Sequence, residues 1–183
     1  MPFLNKPTMV CGMDVYHKAG SGNKSVLAFT ASINQRVTKY WSNAKVQEEG
    51  QEISNTLQEL TNEALNVFKE KNGCYPHNIV IYRDGVGESQ QRAVLLFELP
   101  QIKKAILETT GKDVRLMLIL VNKRVNQRFF ECGNPARLQN PMPGTIIDSD
   151  IVSKNVYDFY MVSQLSKQGV VSPTHYTVVH DSM

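Results

Sequence analysis

Two aspartates stand where apolar runs end. Asp14 follows the run in "TMVCGMDVY" (8–16), and Asp84 closes "HNIVIYRD" (77–84), just before Gly85 breaks the pattern. In mixed and parallel sheets functional groups gather at the ends of strands. If the two strands are neighbours, both carboxylates emerge together, and they repel unless a divalent cation holds them. Magnesium takes hard oxygen ligands and keeps positions open for phosphate. Two such ions about 4 Å apart can clamp the attacking and leaving oxygens of a phosphodiester. An Asp at a strand–helix junction is also an ordinary helix N-cap, and spacing alone leaves that reading open for both residues. Glu52, in "EEGQEIS", and His175, in "SPTHYTVV", are the other candidates. A Glu in a first helical turn is what the helix dipole favours anyway, and Glu48 and Glu49 compete for the role. A single His beside a late strand is commonly a satisfied, partly buried residue.

The elements that must position these groups follow from periodicity. Residues 8–16, 25–32 and 37–46 read as three strands of an antiparallel meander, joined by the polar turns "HKAGSGNK" and "INQR". From Gln51 to Lys71, apolar residues at Ile53, Leu57, Leu60, Ala64, Val67 and Phe68 mark one helical face, which Gly73 ends. The unbroken apolar centre of 77–84, after a helix, signals a parallel crossover. A helix starts at "ESQQRAVLLFEL", with a break or restart at Pro100. "VRLMLILV" (114–121) is a buried strand, and 144–152, 157–163 and 174–181 are three further β segments. The sum is an α/β mixed sheet, a three-stranded meander plus parallel crossovers, with helices on its faces.

The 183 residues suffice for one sizeable core. Hydrophobic content of 42% and charged content of 20% are those of a globular chain. A formal charge of +3 excludes a globally basic, histone-like protein, so any case for nucleic acid rests on local patches. One such patch carries Lys123, Arg124, Arg128 and Arg137 against Glu131. Cys11, Cys74 and Cys132 show no metal-ligand spacing and read as reduced, mostly core thiols of an intracellular protein. The start lacks a signal-peptide pattern. No run approaches the roughly 20 apolar residues of a membrane span.

"GMDVYH", "QEI", "IVIYRDGVGESQ", "NKRVNQRFF", "LQNPMPGTIIDSDI", "YDFYMVSQ" and "GVVSPTHYTVVHD" occur in that order. Together they resemble the Piwi domain of the Argonaute/Piwi family, and "RVNQRFF" with "VSPTHY" is closer to the Piwi branch. The likeness covers almost the whole chain. It implies a ribonuclease H-like fold, which agrees with the strand order above. It also implies a tetrad in which Asp14 matches the first Asp, Glu52 the mobile Glu, Asp84 the second Asp and His175 the last member. Asp14, Asp84 and His175 would then hold two magnesium (or manganese) ions, and Glu52 would help order a water. The expected activity is endonucleolytic cleavage of a target RNA paired to a small guide RNA, leaving 5′-phosphate and 3′-hydroxyl ends. Lys123, Arg124 and Arg128 match family positions near the guide backbone. The other reading is a non-cleaving RNA-binding module whose tetrad does not assemble. The resemblance further implies a Piwi domain over 1–183, cut short at its C-terminal end and without PAZ or MID domains. It places the protein in the cytoplasm (perinuclear granules) or the nucleus, with silencing-pathway proteins as partners.

Overall fold

Alternating and continuous apolar runs account for the sheet. The computed structural model describes residues 5–17, 24–48, 56–133 and 138–183. Its strands are β1 (Thr8–His17), β2 (Lys24–Ser32), β3 (Tyr40–Glu48), β4 (Asn78–Asp84), β5 (Arg115–Asn122), β6 (Ile146–Ile147), β7 (Tyr157–Met161) and β8 (Thr174–Asp181). They form one eight-stranded mixed sheet in the order β3-β2-β1-β4-β5-β8-β7-β6. β1, β2 and β3 are antiparallel, as the meander required, and β4 lies parallel to both β1 and β5. β8 and β7 then add antiparallel strands on the far side of β5.

The helices cover one face of this sheet. α1 (Thr56–Asn72) buries Leu57, Leu60, Ala64, Leu65 and Phe68. Gly73, in the left-handed region, closes α1 by donating its N–H to the Lys69 carbonyl. A second helical stretch runs as a 3₁₀ turn (Glu88–Gln90), α2 (Gln91–Ala93), a π-helical turn (Val94–Glu98) and α3 (Leu99–Thr110). Pro100 sits in the first turn of α3, and the break expected there takes the form of the π turn before it. Leu99, Ile102 and Ile106 meet Met9, Cys11, Met13, Phe29, Ile79, Ile81, Leu116, Leu118 and Leu120 in the core.

Three expectations are corrected. Cys11 is buried, which pushes its thiol pKa far up, but Cys74 and Cys132 are exposed rather than core thiols. β3 starts at Tyr40, not residue 37, because the Asn34 side chain gathers the Thr38 and Lys39 amides into a turn. Of residues 144–152 only Ile146–Ile147 is strand, since the chain turns through Ser149–Ile151 with Asp150 at positive φ.

Candidate active site

Parallel pairing brings the two aspartates to one point. β1 and β4 run in register through Gly12 with Tyr82 and Met13 with Arg83, so Asp14 and Asp84 come next, side by side. Asp84 does not cap a helix. Its Oδ1 accepts the N–H of Gly85 at 2.9 Å, and the helical stretch begins only at Glu88. Gly85 has φ of 79°, and a methyl group placed there would come 3.2 Å from Asp14 Oδ1. A side chain at that position would therefore intrude on the first carboxylate.

Both carboxylates open into a groove of about 1220 Å³ on the sheet face opposite the helices; its lining includes Gly12, Asp14, Tyr82, Asp84, Lys123 and Tyr176. Lys123, just beyond β5, forms an ion pair from Nζ to Asp84 Oδ2. The bond to Asp84 holds the Lys123 ammonium above its usual pKa, and the charge of Asp14 adds to the effect. The point where the two aspartates meet is thus one that draws a cation. Burial raises the Tyr176 phenol, so it stays a hydrogen-bond donor at neutral pH.

His175 does not join this group. Asp84 lies opposite Val121, and Val121 lies opposite Tyr176, so Tyr176 faces the groove. His175, its neighbour, points to the other face by the alternation of the strand. There its Nε2 meets Asp158 Oδ2 at 2.6 Å, and its ring stacks on Tyr160 at 4.3 Å between centroids. Asp158 Oδ1 accepts the Ser153 N–H, so the pair ties β7 and β8 to the loop before them. In this structure His175 therefore stands with Asp158 and not beside Asp14 and Asp84. Glu52 lies outside the described residues. Among the described residues, no three His, Cys, Asp or Glu side chains gather into a metal-binding group.

The basic patch divides. Lys123 belongs to the aspartate site. Arg124 is exposed, and the Arg128 guanidinium folds back onto the carbonyls of Val125 and Gln127. Phe129 packs edge-on against Tyr160. Sequence reasoning missed Tyr176 and Asp158 as the residues that sort the faces. The signal was available in "YDFY", where one carboxylate interrupts an apolar strand.

Comparison with known proteins supplies the lineage. The chain matches the Piwi domain family over residues 1–183. Protein argonaute-3 of Drosophila melanogaster is 42% identical over 181 residues, 99% of this chain and 20% of its own length. Piwi-like protein 1 of Gallus gallus is 41% identical over 179 residues, 97% of this chain and again 20% of its own. The chain therefore spans about a fifth of the length of these relatives. The crystal structure of Drosophila Piwi superposes with a TM-score of 0.82 at 32% identity, over 97% of this chain and 24% of that one. Kluyveromyces polysporus Argonaute, solved with a guide RNA, gives 0.84 at 27% identity, over 97% and 22%. The eight-stranded sheet is the ribonuclease H-like fold of those Argonaute and Piwi lobes. With a match along its entire length, the chain belongs to the Piwi domain family of Argonaute and Piwi proteins.

Proposed function

We propose that this chain is the catalytic domain of a small-RNA-guided endoribonuclease that cuts a target RNA paired to its guide. The observation that carries this reading is the juxtaposition of Asp14, within β1, and Asp84, at the end of β4, just past the parallel pairs of the two strands, with Lys123 beside them. The donor set suits magnesium or manganese: two hard carboxylates at a point that already draws a cation, open to a groove on the sheet face. Bound ions of this kind supply Lewis acidity and lower the pKa of water. Asp14 and Asp84 would hold them, and Glu52 would complete the site. Lys123 would bind a phosphate oxygen of the backbone, a contact that positions a strand without reading its sequence. Cleavage would leave 5′-phosphate and 3′-hydroxyl ends. The guide RNA in the Kluyveromyces polysporus Argonaute structure supports a guide as partner.

A second reading, a non-cleaving RNA-binding module, rests on one observation. Among the described residues, no third His, Cys, Asp or Glu joins Asp14 and Asp84.

The test uses the full-length protein loaded with a guide, its complementary target RNA, and magnesium. Cleavage that disappears in Asp14→Ala and in Asp84→Ala, with RNA binding retained, supports the enzyme. Target binding without cleavage in the unaltered protein supports the module. Products ending in 2′,3′-cyclic phosphate would sink the mechanism.

A further inference from the structure

Arg83 precedes Asp84 and points away from it, into the helix-covered face. Its side chain is 9% exposed, which for an arginine requires partners for its charge and its donors. It has them. Nε donates to Glu98 Oε2 and Nη2 to Glu98 Oε1, both at 2.9 Å, a bidentate fork. The remaining nitrogen, Nη1, donates to the backbone carbonyl of Asp84.

That carbonyl shares a peptide unit with the Gly85 N–H, which donates to Asp84 Oδ1. One rigid plane is therefore gripped at both ends. Arg83 fixes its oxygen, and its nitrogen fixes the carboxylate. The far anchor, Glu98, is the last residue of the π-helical turn, so that turn sets where the fork can reach. The path runs from Glu98 through Arg83 and the Asp84–Gly85 peptide to the carboxylate oxygen.

We propose that Arg83 and Glu98 are positioning residues for the candidate active site: their buried ion pair sets the Asp84–Gly85 peptide plane and so aims the Asp84 carboxylate. This rests on the reading of Asp84 as a metal ligand, and the experiment separates the two. Neither side chain lines the groove into which Asp14 and Asp84 open. Outer hydrogen-bond partners of metal ligands typically change metal affinity by about 10- to 100-fold when altered.

The test compares the unaltered chain with Glu98→Gln and with the double variant Arg83→Met/Glu98→Met. Gln leaves the fork one neutral acceptor. The double variant removes both charges, and replacing a buried pair by apolar side chains commonly preserves folding where removing one partner does not. Circular dichroism verifies folding. Manganese alone is titrated by electron paramagnetic resonance, and hydrogen exchange of the Gly85 amide is followed by nuclear magnetic resonance. The expected result is about tenfold weaker manganese binding together with about tenfold faster Gly85 exchange in the folded variants. Unchanged Gly85 exchange overturns the proposal. Faster exchange with unchanged manganese affinity overturns it as well, because the carboxylate would then not depend on the clamp. If the unaltered chain binds no manganese, the metal reading of Asp84 falls, and the clamp is judged on Gly85 exchange alone: faster exchange upholds it and unchanged exchange ends it.

Discussion

At the scale of single residues, Gly85 and Lys123 carry the strongest expectations. Gly85 has φ of 79°, in the left-handed region, where a side chain costs roughly 1–2 kcal/mol. Gly85→Ala should lower stability to urea by about that amount. It should also weaken manganese binding, since the new methyl would press on Asp14 Oδ1. A variant of full stability would show that the turn adapts and that the close approach is not a constraint. Lys123 holds Asp84 through an exposed ion pair, worth about 0–1 kcal/mol by comparison with similar pairs. It competes with a metal ion for the same oxygen. Lys123→Met should therefore raise manganese affinity by up to about fivefold, the equivalent of about 1 kcal/mol. A fall in affinity would show that the ammonium helps assemble the site instead. The two aspartates were legible in the sequence because each follows an apolar run. The face that His175 takes was not. Its residue type and surrounding motif were visible, but which of His175 and Tyr176 faces the groove depends on a one-residue register that β8 acquires only by pairing with β5 and β7.

At the scale of elements, the strands that bury both faces were the plainest. β4 and β5 show as unbroken apolar runs, and β8 was bounded correctly at Thr174–Asp181. The π turn before α3 was not legible beyond a break at Pro100, because its extra residue per turn leaves no period of its own. With β7 and β8 in place, the Asp158–His175 pair reads as a tie between strands. His175→Phe keeps the stacking on Tyr160 but strips a buried carboxylate of its imidazole partner and leaves it only the Ser153 N–H. Stability should fall by about 2 kcal/mol, with manganese affinity unchanged. Loss of metal binding in this variant would restore His175 to the site. Where β8 and β5 meet α3, burial and the nearby Lys103 lower the pKa of His180 below its ordinary value of 6.5, against weaker pulls from Asp181 and Asp113. The folded chain then binds fewer protons than the unfolded chain just below pH 6.5. The stabilising contribution is full above that pH and is lost as pH falls through the lower, folded value. His180→Gln should flatten that part of the stability–pH curve. An unchanged slope in the variant would assign it to other groups.

At the scale of the whole molecule, the two faces of the sheet are unequal. α1 and α3 seal one of them, so that Phe29, Ile79, Ile81, Leu116 and Leu118 are almost wholly buried. On the other face the groove is lined by Ile119, Val121, Phe159 and Met161, and Ile146 remains 55% exposed. A contiguous apolar surface of this kind is a place where proteins meet. The outer strand β3 is better guarded, since Lys45 reaches Glu59 and Glu63 of α1 and keeps charge along that edge. Self-association of the 183-residue chain should therefore proceed through the groove face and not through the open edge of β3. Sedimentation velocity should show weight-average mass rising with concentration, and a hydrophobic dye should brighten on the folded chain. Ile146→Lys places a charge in the apolar surface without entering the helix-side core, so it should shift the chain toward monomer and dim the dye. Val46→Lys, near the end of β3 and outside the groove lining, should change neither. The reverse pattern, with association relieved at β3 and untouched at Ile146, would move the sticky surface to the sheet edge. It would leave the groove, with Asp14 and Asp84 in it, as a surface that tolerates water.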